Sequence, residues 1–467
     1  MSTATQRTVR LPPPVPAPNP ADWQRRLRLV LAAAACGSVF MVFLLWVHGG
    51  GVRALTTGGA GAVTSAGRLA GLVGADLLII QVLLMARIPW VERACGQDQL
   101  ARWHRITGFT SFNLVLLHIV LVTFGYAGSD RSGVVVEAWR LITTYPGMLL
   151  AAAGTVALII VTVTSVRVAR RRLRYESWHL LHLYAYLGIG LALPHQIWTG
   201  QDFVLTAPAR LYWWTLYIAT AGSILVFRVG MPLYRSLRHD LRIAAVVPET
   251  DGVTSVYLSG RDLDRLPVQS GQFFNWRFLS GTGWMRAHPY SLSAAPRPDG
   301  FRITIKHLGD GSSQVPALRV GARVLLEGPY GRLTGLRRQR HRLTFIACGI
   351  GITPMRALIE TEYYRPGDAV LIYRARTPSD FTFYQEIEAI AQARGVATIY
   401  LPGPRGPAQW LPVGCRDGAS TLRQMVPHIG DSDVYVCGPE PWMDAVIDSL
   451  DRVGVPIAQI HLERFAW

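Results

Sequence analysis

Hydrophobic and polar positions divide the chain near residue 235. Before that point, apolar runs recur at about 20 residues, the helix length needed to cross a bilayer. They predict six spans, at 28–47, 67–87, 104–126, 146–166, 178–198 and 210–229. After it no run is that long. Short β-branched strands alternate with Gly/Pro turns and a few amphipathic helices, the pattern of folded soluble domains. Residues 1–22, rich in Pro, Ser, Thr and Ala, read as a disordered tail. LAAAAC before Gly37 resembles a lipoprotein site, but the apolar run continues through Val39–Val47, so a retained first helix is expected.

The expected architecture is a multidomain membrane protein. A six-helix α transmembrane bundle (23–235) precedes an antiparallel β-barrel (236–340) and a Rossmann-like α/β domain (341–467). A length of 467 residues suits two or three domains. Only 16% of residues are charged, against about 25% in soluble domains, and the mean hydropathy is +0.23. Those values exclude a disordered chain and an ordinary cytosolic protein. The formal charge is +17, but Lys306 is the single lysine and no basic docking motif appears, so no nucleic-acid partner is expected. Cys36, Cys95, Cys348, Cys415 and Cys437 form no CxxC or CxxCH pattern. That argues against a zinc ribbon, a disulfide framework and a covalently attached haem.

Arginines set the orientation. Arg93, Arg102, Arg167, Arg170, Arg171, Arg172, Arg174, Arg228, Arg235 and Arg238 flank one side, whereas the opposite loops are poorer. Both termini are therefore expected in the cytoplasm of a bacterial-type inner membrane, with the third and fifth helices running outward.

Ionisable residues inside a membrane are costly and usually functional. His104 and His118 lie 14 residues apart on the third predicted helix, and His182 and His195 lie 13 apart on the fifth. Both spacings rise about 20 Å. Each helix thus offers one imidazole near each surface, pairing His104 with His182 and His118 with His195. Two axial imidazoles fill the coordination of an iron centre and suit outer-sphere electron transfer. A 13-residue step lies about 140° off one helix face, so the fifth helix needs a distortion, for which Gly188, Gly190 and Pro194 are candidates. His179 is the alternative to His182.

Helix segments RWHRITGFTSFNLVLLHIV and YESWHLLHLYAYLGIGLALPH resemble the ferric-reductase transmembrane domain shared by NADPH oxidases and ferric reductases. That resemblance implies two b-type haems held by His104, His118, His182 and His195. Arg68 falls where the oxidases carry an Arg near the outer haem. Val122 stands where they tend to carry a further His.

RAHPYSLSAAP (Arg286–Pro296) resembles the flavin motif of the ferredoxin–NADP reductase family. By that resemblance Tyr290 stacks on the flavin of FAD, Ser291 bonds near its reactive nitrogen, and Arg286 or His288 meets the pyrophosphate. Pro289, Leu292 and Ser293 complete the motif. IKHLGDGSSQVP follows, with Lys306 at its start and Gly311, Ser312 and Ser313 opening a helix suited to an anion. EGPYG (Glu327–Gly331) comes next in family order. LTFIACGIGITPM reads as strand, turn and helix, with Gly349, Gly351, Thr353 and Pro354 at a nucleotide phosphate. Cys437 and Gly438 would lie beside the nicotinamide. Arg374 and Arg376 would hold a 2′-phosphate, favouring NADPH over NADH. Glu463 and Phe465 match an E-x-aromatic ending, with Trp467 as a rival for the stacking role.

The resemblance implies electron transfer from NAD(P)H through FAD and two haems to an external acceptor. Oxygen giving superoxide is favoured. A ferric chelate is the alternative, and a periplasmic partner protein the third reading.

Overall fold

A computed structural model describes residues 20–166, 175–204, 206–280, 286–406, 409–415 and 417–464. The tail expected at 1–22 lies almost entirely outside these, as do Arg167–Arg174, Phe465 and Trp467.

Six long helices form the first half: α1 (Pro20–His48), α2 (Gly59–Leu84), α3 (Gln97–Ser129), α4 (Met148–Ser165), α5 (Tyr175–Trp198) and α6 (Ala207–Ser223). Five stretches are long and apolar enough to cross a membrane: Trp23–His48, Gly59–Leu84, Gln99–Ser129, Met148–Ser165 and Ala207–His239. The fifth expected span, 178–198, forms α5, but His179, His182, Pro194 and His195 hold it below the apolarity of the other five. The helix stays α-helical through Pro194. Gly188 serves packing: a Cβ there would sit 3.0 Å from the carbonyl of Gly154, so the two glycines let α4 and α5 cross closely. Helix α6 does not stop at the surface. A π-helical stretch, Ile224–Gly230, carries it directly into Met231–His239.

The next unit has six strands: β1 (Arg242–Thr250), β2 (Val253–Ser259), β3 (Phe273–Phe278), β4 (His288–Ser291), β5 (Gly300–Lys306) and β6 (Val324–Tyr330). They form two antiparallel sheets, β1-β2-β5 and β4-β3-β6. Bridges join the two sheets at both edges among the described residues, Arg242 with Arg323 between β1 and β6 and Leu292 with Ile303 between β4 and β5. The two sheets face each other around a core of Val256, Leu258, Phe274, Trp276, Leu292, Ile303 and Leu326.

The last unit is a parallel sheet, β11-β10-β7-β8-β9, from β7 (Arg342–Cys348), β8 (Ala369–Arg374), β9 (Val396–Leu401), β10 (Ser432–Cys437) and β11 (Ile460–Leu462). Its central strands are near-continuous apolar runs because helices cover both faces. Strand order reverses between β7 and β10, and the crevice at their carboxyl ends is where such sheets bind ligands.

Candidate functional site

Four imidazoles stand within the bundle. The rings of His104 on α3 and His182 on α5 lie 5.9 Å apart between centres. A metal held by one nitrogen of each, at about 2 Å, would put the centres about 6 Å apart. His118 on α3 and His195 on α5 are the second expected pair. His179 stands beside Trp178, while the ring facing His104 is that of His182.

Each of the rings of His104, His118, His182 and His195 has a partner on Nδ1. That of His104 is 3.0 Å from the Gln81 carbonyl, and that of His118 is 2.8 Å from the Gly67 carbonyl. The carbonyls can only accept, so both rings carry their proton on Nδ1 and keep the Nε2 lone pair for a metal. The Nδ1 atoms of His182 and His195 meet the hydroxyls of Ser165 (3.2 Å) and Thr199 (2.8 Å). Helix α2 thus supplies both carbonyls. It can lie close because Gly71 has no side chain; a Cβ there would be 2.5 Å from His118 Nδ1. The donor set fits a group with two axial imidazole ligands. Sequence reasoning missed Gly67, Gln81, Ser165 and Thr199. Only Thr199, four residues beyond His195 on one helix, left a readable signal.

Arg68 is engaged rather than open. Its Nε and Nη2 donate to the two carboxylate oxygens of Asp202, at 2.8 and 2.6 Å.

In the flavin motif, Tyr290 is half-buried and its ring is nearly parallel to that of His288, their ring centres 6.1 Å apart. The Ser291 hydroxyl is buried with no hydrogen-bond partner among the described residues, an orphan that a cofactor atom would satisfy. A Cβ on Gly311 would touch the His288 ring, so the Asp310–Ser313 turn sits against the motif. The Ser312 hydroxyl accepts from the Leu308 and Gly309 amides, which shapes that turn. Arg286 and Lys306 are exposed. Leu292 and Ser293 depart from expectation. Leu292 belongs to the core, and the Ser293 hydroxyl is held by Thr304 at 2.7 Å and by Arg302 at 3.2 Å, so both support the motif from behind.

At the switch point, Gly349 has φ +54° and open space at its α carbon, and Gly351 is packed so tightly that a Cβ would collide with the Cys437 carbonyl. Thr353 donates to the Ile350 carbonyl at 3.0 Å and Pro354 sits in the first helical turn, fixing the helix start. Two expectations change here. The Cys437 side chain is enclosed in the core and not open to the crevice, and burial pushes its thiol up; only the carbonyl of Cys437 and the Gly438 amide reach the turn. Arg374 is turned inward, donating to the carbonyls of Ala375, Leu401 (2.9 Å) and Gly403 (2.7 Å), whereas Arg376 is exposed. Burial also pushes the Cys348 thiol up to about 11. Iodoacetamide should therefore label Cys348 slowly at neutral pH and faster as pH approaches that value, as peptide mass spectrometry would report. Fast labelling at pH 7 would contradict this.

The two halves meet at the EGPYG turn. Arg332 donates from Nη1 to the Cys95 carbonyl (2.8 Å) ahead of α3, and from its amide to Glu463 (3.0 Å) beyond β11. Gly96, at φ +81°, leaves room; a Cβ there would be 2.6 Å from the Arg332 guanidinium. Arg87 lies over the Tyr330 ring at 4.3 Å. Between them is a cavity of about 290 Å³, lined by Arg93, Arg235, Tyr330 and Glu463 among others. Replacing Arg332 with Ala should leave flavin reduction unchanged and slow the onward step into the bundle about tenfold, the scale of one charge-assisted hydrogen bond. Stopped-flow spectroscopy separates the two steps, and equal rates in both proteins would refute the bridge.

Residues 70–193 match the family described as ferric reductase like transmembrane component, and residues 345–448 match the oxidoreductase NAD-binding domain. The chain is similar to the glycine betaine monooxygenase reductase subunit of Chromohalobacter salexigens, 27% identical over 238 residues, 49% of this chain and 64% of that protein. It is also similar to the ferredoxin reductase component of 3-ketosteroid-9-alpha-monooxygenase from Mycobacterium tuberculosis, 30% identical over 242 residues, 48% of this chain and 65% of that one. The chain spans just under two thirds of the length of these curated relatives. Among solved structures, the FAD/NAD-binding domain of nitric oxide dioxygenase from Vibrio cholerae O1 biovar El Tor is 25% identical, with 49% of this chain and 98% of that one covered and a TM-score of 0.40.

Proposed function

We propose that this chain, which joins a ferric-reductase-like transmembrane component to a ferredoxin-reductase-like FAD/NAD module, carries electrons from cytoplasmic NAD(P)H across a bacterial inner membrane. The observation that carries this reading is the spacing and tautomer of the imidazole pairs, with 5.9 Å between the His104 and His182 rings and carbonyls on the Nδ1 of His104 and His118. His104 and His182 would hold one haem b on the reductase side, and His118 and His195 a second on the far side. Haem bound there would supply a one-electron iron couple. FAD supplies the exchange between the hydride pair of NAD(P)H and single electrons.

The chain's own residues position and insulate. The Gln81 and Gly67 carbonyls fix the tautomers of His104 and His118, and the Ser165 and Thr199 hydroxyls hold the rings of His182 and His195. Tyr290 would stack on the flavin, Ser291 would donate to it, and Arg286, His288 and the Gly311–Ser313 turn would meet the pyrophosphate. The Gly349–Gly351 turn would take the nucleotide phosphate, and Arg376 the 2′-phosphate of NADPH. The arginine asymmetry of the loops supports cytoplasmic termini.

Oxygen, giving superoxide, is the acceptor we favour, because reaction at the edge of a saturated haem needs no dedicated residue. A ferric chelate is the second reading, favoured by Arg68 being engaged with Asp202. A periplasmic partner protein is the third. Chain purified with FAD and haem and given NADPH decides among them. Superoxide-dismutase-sensitive cytochrome c reduction marks oxygen, and Fe(II) capture by ferrozine marks iron. A preparation without a haem Soret band would end the reading altogether.

A further inference from the structure

Helix α2 carries one acidic residue in its apolar run, Asp76, and its side chain is fully buried. Among the described residues two groups hydrogen-bond to it, the hydroxyls of Ser38 from α1 and Tyr212 from α6. Ser38 Oγ lies 2.7 Å from Asp76 Oδ1, Tyr212 OH lies 2.9 Å from the same oxygen, and the two hydroxyls are 2.8 Å apart. Three oxygens thus form a closed triangle of hydrogen-bond edges.

Each edge at those lengths needs a proton. Ser38 and Tyr212 own one each, and each hydroxyl donates once. Two protons cannot fill three edges. The carboxyl must supply the third. The other oxygen, Oδ2, is buried without a hydrogen-bond partner among the described residues. A carbonyl oxygen of a neutral acid tolerates that position far better than a naked carboxylate oxygen in hydrocarbon.

Location gives the proton a use. The Gly67 and Gln81 carbonyls that hold His118 and His104 both lie on α2, and Asp76 falls between them in depth, about 13 Å from the first and about 8 Å from the second along the axis. Nine residues from Gly67 is about a half-turn, so Asp76 faces α1 and α6, away from the imidazoles. A proton there is screened by little water and lies within the field of an electron on either pair.

We propose that Asp76 is a proton-binding site buried between the two imidazole pairs, and that it holds an exchangeable proton drawn from water whose binding tightens as electrons load the bundle. The coupling rests on the haem reading; the bound proton does not. Infrared spectra of the full chain in nanodiscs test both. Oxidised wild-type protein should show a protonated-carboxyl carbonyl band that shifts in D₂O and is lost in Asp76→Asn. Tyr212→Phe removes one edge while keeping the carboxyl, and should move that band, so the test survives an Asn variant that does not fold. On dithionite reduction the wild-type band should change while the Soret shift matches that of Asp76→Asn. A wild-type spectrum lacking the band overturns the site, and a band indifferent to reduction overturns the coupling. A protein with no Soret band sinks the haem reading alone, leaving the oxidised comparison to judge the proton.

Discussion

His118→Ala should purify with half the haem of the wild-type chain, reduce its flavin with NADPH at the normal rate, and pass electrons to external acceptors only at background. The ring is held on Nδ1 by the Gly67 carbonyl at 2.8 Å and pressed by Gly71, so no neighbouring donor can take its place without moving α2. On the haem reading, the far site loses one of its two imidazoles while the near pair, His104 and His182, keeps its 5.9 Å separation. His104→Ala should differ in kind, since it breaks the relay at its entry and leaves the far centre oxidised even with NADPH in excess. Pyridine haemochrome assay gives the haem content, and stopped-flow absorbance separates flavin from haem reduction. Unaltered haem content in His118→Ala, with acceptor reduction intact, would rule out the ligand assignment.

Asp433→Ala should cost about 2 kcal/mol of stability in the nucleotide domain. Asp433 is fully buried; Oδ1 faces His461 Nε2 at 2.7 Å, and Oδ2 accepts the Gln339 and Arg340 amides at 2.8 and 2.5 Å. Its removal leaves the buried His461 ring without its acceptor, at about 1–3 kcal/mol, while the amides of the exposed Gln339 and Arg340 can turn to water. His461 sits on β11, opposite Tyr435 of β10 and stacked on its ring with centres 4.7 Å apart. Loosening β11 also frees Glu463, two residues on, from the Arg332 amide. Thermal unfolding should shift down, and NADPH-driven flavin reduction should weaken. Asp433→Asn, which keeps one acceptor oxygen, should lie between the two. A melting curve for Asp433→Ala that overlays wild type would contradict the account.

Sequence made some of this legible and hid the rest for physical reasons. The four histidines stood out because a polar ring in an apolar run is costly, and their spacing placed them in depth. Their partners Gly67 and Gln81 act through main-chain oxygens, which leave no side-chain signature. Arg374 follows a strand, where a cation usually faces solvent; the Leu401 and Gly403 carbonyls that draw it inward come from β9 and the loop after it, 27 and 29 residues away. Cys437 lies at a strand end where either face was open, and packing against the Gly351 turn decided it. Fold class followed from hydrophobic period. Whether six strands join around a full circle depends on pairing across distant residues, Arg242 with Arg323 and Leu292 with Ile303, which period alone does not encode. Asp76 carried the same signal as the histidines, but its meaning needed the hydroxyls of two other helices.

The unbroken run Ala207–His239 has a mechanical consequence. At 33 residues it is a rod of about 50 Å. Its far end is clasped: the Ser236 hydroxyl donates to the Leu326 carbonyl and accepts the Leu326 amide, and Arg235 donates to the Gly328 carbonyl. The reductase is therefore mounted on a stiff mast rather than tethered by string. Any lean of that mast in the bilayer becomes sideways travel of the flavin strands above it, with no slack joint to absorb the motion.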